Sequence, residues 1–131
     1  MAAQTAKKNL FYYLTTVNHK DIGLMYLTSA LTFFFIGGLM AWVIRAELAV
    51  PGLQYVEGGF FNQMTAMHAT FMIFFAIIPA LTGFANYFLP IMIGSPDMAF
   101  PRLNNWSFWV LPPAALLMLG SLFVPGGSNA A

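Results

Sequence analysis

The run IGLMYLTSALTFFFIGGLMAWVI, residues 22–44, holds no ionisable side chain and is bounded by Asp21 and Arg45. At 1.5 Å per residue such a helix spans the roughly 30 Å hydrocarbon core of a bilayer. Two further charge-free stretches follow, from Gly58 to Pro96 and from Leu103 to the end. The 131 residues carry five basic and four acidic side chains, 7% charged against 60% apolar, where a soluble domain has about a quarter charged. A water-soluble globular domain is therefore excluded. A net charge of +1 gives no footing for a nucleic-acid partner, and the absence of cysteine excludes a disulfide framework and any thiolate metal site. Metal chemistry here is left to His, Met or oxygen ligands.

The reading is an all-α integral membrane protein with three transmembrane helices, at about 22–44, 63–93 and 106–124. The second gap lacks the polar loop that two spans would need, so it is one long helix, kinked at Pro79 where a backbone donor is missing. The third carries Pro112 and Pro113 near its start and fades into Pro125, Gly126 and Gly127. Lys7, Lys8 and Lys20 precede the first span, while the loops mix Arg45 with Glu47 and Glu57, and Asp97 with Arg102. The positive-inside rule then puts the N-terminus on the cytoplasmic or matrix side. Phe11, Tyr12 and Tyr13 suit an interfacial belt, and Trp42, Trp106 and Trp109 suit interfacial anchors.

Polar residues within such spans are the candidates for function. His68 lies about one turn into the second helix and is the one ionisable group read inside a span. Either it is a packed histidine bonded to a neighbouring helix, or it is a metal or haem ligand. Thr65, Met72 and Phe75 fall on or near its face, and Ala66 and Ala69 leave room for a large flat ligand. One histidine fills only one axial site of a haem. Asn86 follows eighteen residues later, five turns on the same face if the kink is mild. Asp97, Asn104 and Asn105 cluster at the inner mouth, as a water-filled proton path would need and as an ordinary capping loop would also look. Arg45 is either a headgroup anchor or a forked donor to a cofactor substituent. Gly37 and Gly38 allow close approach of a helix or ring.

Taken together, Asn-His-Lys-Asp-Ile-Gly at 18 to 23, Ile-Arg-Ala-Glu-Leu at 44 to 48, Thr-Ala-Met-His-Ala at 65 to 69 and Gly-Ser-Pro-Asp-Met-Ala-Phe-Pro-Arg-Leu-Asn-Asn at 94 to 105 resemble the opening of subunit I of cytochrome c oxidase. The resemblance covers nearly the whole chain and about three of that family's twelve helices, so residues 1–131 would be the N-terminal part of one haem-copper oxidase domain. It implies that His68 is an axial ligand of low-spin haem a, that Arg45 bonds the haem formyl group, and that Glu47 and Gly52 bind calcium or sodium on the outer side. Asp97 would be the entrance of the D proton pathway, with Asn86 and Asn104 lining it. The implied activity is electron transfer from cytochrome c to a haem-copper centre that reduces oxygen to water, with proton pumping, in a bacterial cytoplasmic or mitochondrial inner membrane. The implied partners are the remainder of subunit I, subunits II and III, cytochrome c and the lipid bilayer, with no nucleic acid. The ligands of the high-spin haem and copper belong to later helices. A quinol oxidase of the same superfamily shares the His and Asp blocks, and a non-catalytic membrane subunit is the alternative of another class.

Overall fold

The computed structural model describes residues 9–127, and every regular element among them is helical. A short helix α1 (Leu10–Thr15) precedes three long ones: α2 (His19–Glu47), α3 (Gly58–Met92) and α4 (Pro101–Gly120), the last ending in a 3₁₀ turn at Ser121–Phe123. All three long helices have the length and apolar character to cross a membrane. The chain is an integral membrane protein with three spans. Lys7 and Lys8, on which part of the topology reading rests, lie outside the described residues.

Each helix is longer than the span read for it at 22–44, 63–93 and 106–124, because polar residues at the ends serve the helix. Asn18 caps α2, its Oδ1 accepting from the Lys20 amide at 3.0 Å. Asp21 in the first turn and Arg45 in the last each oppose the nearer pole of the helix dipole. Pro101 opens α4 where its missing N–H costs nothing. Thr28, Ser29 and Thr32 bond their hydroxyls back to carbonyls three or four residues earlier, so they need no water within the bilayer. His19 and Asp21 thus fall inside a helix, at 5% and 8% exposure. His68 is not the only ionisable residue in a span, because the sequence boundary had been drawn at Ile22.

The irregularity expected at Pro79 precedes it, as a π-helical run over Phe71–Ile77. Proline has no N–H and its ring crowds the carbonyl four residues back. The ladder accommodates this by slipping one residue, and the Ile78 amide donates to Ile73 rather than to Phe74. An inserted π residue turns the two halves of α3 by about 100° relative to an unbroken α-helix. Asn86, beyond this run, is 3% exposed, whereas His68, before it, is half-buried.

In lipid the helices associate by close packing rather than by expulsion of water. At the outer end Met40 of α2, Met64, Met67, Phe71 and Phe75 of α3 and Ala115 of α4 form one cluster. At the inner end Ile22, Tyr26 and Phe108 form another. Between α2 and α3 the crossing is set by Gly23 and Gly83. A Cβ on Gly23 would sit 2.9 Å from both the Gly83 carbonyl oxygen and the Tyr87 nitrogen. Backbone atoms cannot step aside, so Gly23→Ala is expected to cost about 1–3 kcal/mol, the usual range for overpacking. Gly120→Ala, with nothing within 4 Å of the new methyl, is the control. Thermal midpoints in detergent should fall for the first substitution and hold for the second.

Candidate functional site

At the outer end, the geometry is built on Gly37. A Cβ there would lie 2.9 Å from Met72 Sδ and 3.6 Å from Phe71 Cβ, so its absence brings α3 against α2. The Gly37 carbonyl oxygen then lies 2.8 Å from His68 Nδ1. A carbonyl only accepts, so Nδ1 must carry the hydrogen, and Nε2 of the neutral ring presents a lone pair. A backbone carbonyl that fixes the tautomer in this way is the usual support of a metal-bound imidazole. Gly38 opens onto space free of protein within 4 Å. Arg45, two turns further along α2, is exposed and makes no hydrogen bond or ion pair with the described residues. These residues fit a cofactor metal that would be held through Nε2 of His68. Of the three neighbours read onto the histidine's face, Met72 lies against Gly37, Thr65 is exposed, and Phe75 turns into the core against Phe33 and Phe71. Among the described residues no three His, Asp or Glu side chains converge on one point.

At the inner end the structure brings two of the three expected path residues into contact. Asn104 Nδ2 donates to Asn86 Oδ1 at 2.7 Å across α4 and α3. His19, absent from the expected set, joins them: its Nδ1 donates to the Asn86 carbonyl at 2.9 Å. Asp97 stands apart, its Oδ1 accepting from the Met98 amide at 2.8 Å. It shares with Asn18, His19, Lys20 and Ser95 an open cavity of about 450 Å³. Three residues along α4, exposed Ser107 donates to the Asn104 carbonyl at 2.7 Å, and its Oγ lies 2.9 Å from the Tyr26 hydroxyl. Polar groups thus follow one another from the Asp97 cavity through His19, Asn86 and Asn104 to Ser107 and Tyr26. His19 was legible as the residue after a helix cap; Tyr26 and Ser107 are 81 positions apart and only the fold pairs them. Nor is Asp97 the only acid at this end, since buried Asp21 accepts from the Tyr12 hydroxyl at 2.6 Å. Trp109, read as an interfacial anchor, is half-buried and donates to the Tyr13 carbonyl, whereas Trp42 and Trp106 are largely exposed.

Glu47 ends α2 at 4% exposure and closes the outer loop. Its Oε1 accepts from the Gln54 amide at 2.7 Å, and its Oε2 from Tyr55 at 2.7 Å and Val56 at 3.1 Å. Gly52 turns the same loop at φ +97°, where a side chain would be strained. Both residues line an open groove of about 490 Å³. A glutamine cannot accept on both atoms. In Glu47→Gln the amides of residues 54–56 are therefore expected to exchange hydrogen faster, with or without calcium, as followed by deuterium exchange and mass spectrometry; unchanged exchange would count against Glu47 as the loop's anchor.

Three spans held together by small residues and internally satisfied polar groups define a multi-pass membrane protein, with one imidazole nitrogen presented at the outer end and a run of polar groups at the other. Residues 21–131 match the family described as Cytochrome C and Quinol oxidase polypeptide I, and the chain belongs to that family. It is 49% identical over 115 residues to a cytochrome c oxidase subunit 1 of Corynebacterium efficiens, covering 88% of this chain and 20% of the relative. It is 51% identical over 118 residues to a putative cytochrome c oxidase subunit 1-beta of Streptomyces avermitilis, covering 90% and 21%. A cytochrome c oxidase subunit 1 of Synechocystis is 48% identical over 113 residues, covering 86% and 20%. The chain spans about one fifth of the length of these relatives.

Proposed function

We propose that this chain is the N-terminal part of one haem-copper oxidase domain, residues 1–131 of the catalytic subunit of a cytochrome c oxidase, with its N-terminus on the cytoplasmic or matrix side. The observation that carries the reading is His68, held through Nδ1 by the Gly37 carbonyl at 2.8 Å, with Nε2 the nitrogen turned away from that bond. His68 would hold the iron of haem a through Nε2, and Arg45 would donate to the haem's formyl group. The remainder of the subunit would supply the other ligand of haem a and every ligand of the high-spin haem and copper. When bound, the haem supplies one-electron transfer from cytochrome c toward the oxygen-reducing centre. Subunits II and III and the bilayer complete the assembly.

The chain's own part in the chemistry is ligation and proton delivery. The Gly37 carbonyl orients the His68 ring. Asp97 collects protons at the inner surface, where its cavity is open to water and lined by His19 and Asn18. The amides of Asn86 and Asn104, locked together at 2.7 Å, orient water beyond that mouth. Ser107 and Tyr26 continue the path inward with hydroxyls that both donate and accept. Glu47 and Gly52 shape the outer loop. Glu47's first task is to hold three amides, and a calcium or sodium ion there would bind through its remaining lone pairs and loop carbonyls. The experiment that tests the reading is the reduced spectrum of the assembled oxidase carrying a replacement at His68, in which the low-spin haem band must be lost.

A further inference from the structure

The proton path has a close neighbour that it does not use. Asn105, beside Asn104, is 6% exposed and its Nδ2 donates to the Tyr13 carbonyl at 3.3 Å. Trp109 Nε1, one turn along α4, donates to the same carbonyl at 3.2 Å. Tyr12, the preceding residue, sends its hydroxyl to Asp21 of α2 at 2.6 Å. Helix α1 has only six residues, too short to hold itself together. It is nonetheless tied on one side to α2 and on the other to α4. These ties lie at the end of α4 from which Asn104 reaches Asn86. A helix held by two donors one turn apart cannot rotate about its axis without breaking one of them.

We propose that α1 is a strap that fixes the rotation of α4 at the inner mouth, with Tyr12, Asp21 and Asn105 as positioning residues for Asn104. Asn105 and Asn104 are neighbours on one helix, so their side chains point about 100° apart. Anchoring Asn105 to Tyr13 therefore sets the direction in which Asn104 points. When one tie of the strap is removed, at Asn105 or at Tyr12, α4 keeps its apolar packing through Phe108 and Ala115 and the Trp109 bond to Tyr13, and its rotation is held less tightly. The Asn104–Asn86 hydrogen bond then forms in a fraction of molecules instead of nearly all.

The inference rests on the proton-path reading of Asn104, and the test separates the two. Asn104→Ala, Asn105→Ala and Tyr12→Phe are each made in the complete oxidase. Proton uptake during turnover is measured with a pH-indicator dye on the fraction that retains a normal haem spectrum. A purely structural role would lower the yield of that fraction without altering uptake within it. The strap requires Asn105→Ala and Tyr12→Phe to slow uptake about two- to tenfold, the factor that one hydrogen bond of ordinary strength is worth, with haem reduction by the donor unchanged. If Asn104→Ala slows uptake and both strap variants run at the wild-type rate, the strap is overturned. If Asn104→Ala itself runs at the wild-type rate, the path reading fails and the strap fails with it.

Discussion

In the assembled oxidase, His68→Ala is expected to abolish the low-spin haem band while the subunit still folds. The two halves of that expectation have different causes. The protein loses one hydrogen bond, from Nδ1 to the Gly37 carbonyl, worth about 1 kcal/mol. The methionine and phenylalanine cluster around Met67 and Phe71 keeps α3 on α2 without it. The haem would lose the ligand that His68 supplies, and the only other histidine, His19, lies at the opposite end of the helix pair. Subunit recovered in the membrane at near wild-type level, without the band, is the outcome that supports the ligand assignment. Loss of the subunit altogether would instead give His68 a structural task that one hydrogen bond does not explain.

Asp97→Asn should do the reverse. The haem spectra stay as they are, because Asn86 alone is eighteen residues, or about 27 Å of helix, from His68, and Asp97 lies beyond it. Asparagine keeps an oxygen to accept from the Met98 amide at the position of Oδ1, so the loop conserves its shape. The side chain can no longer take up and release a proton at the mouth of the cavity. Proton uptake and turnover are expected to fall by about a hundredfold, the lower end of what a positioned proton-transfer group contributes. Stopped-flow uptake with a pH-indicator dye checks this, and wild-type uptake in the variant would remove Asp97 from the path.

The spans were legible because a bilayer imposes a length and forbids charge, and both constraints are written directly in residues 22–44. Their ends were not, since His19, Asp21 and Pro101 look like loop residues until the cap and dipole that use them are in place. Pro79 signalled a break in α3, but not that the ladder would answer with a π-helical run. That run also shifts the register on which a count of five turns between His68 and Asn86 depends. At the site, the residue types were readable and their partners were not. Nothing in the order of residues indicates that His68 would find the Gly37 carbonyl or that Tyr26 would find Ser107. Asn86 and Asn104 could be listed together, but their direct hydrogen bond appears only once α4 is packed against α3.

On the proposed function, Nε2 of His68 binds the haem iron. The most direct test of this is the reduced low-spin band of the His68→Gly oxidase, recorded before and after exogenous imidazole is added. Removing the side chain leaves a space of imidazole size beside the Gly37 carbonyl. The band should be absent without imidazole and return with it. A band that persists in His68→Gly without imidazole would contradict the claim.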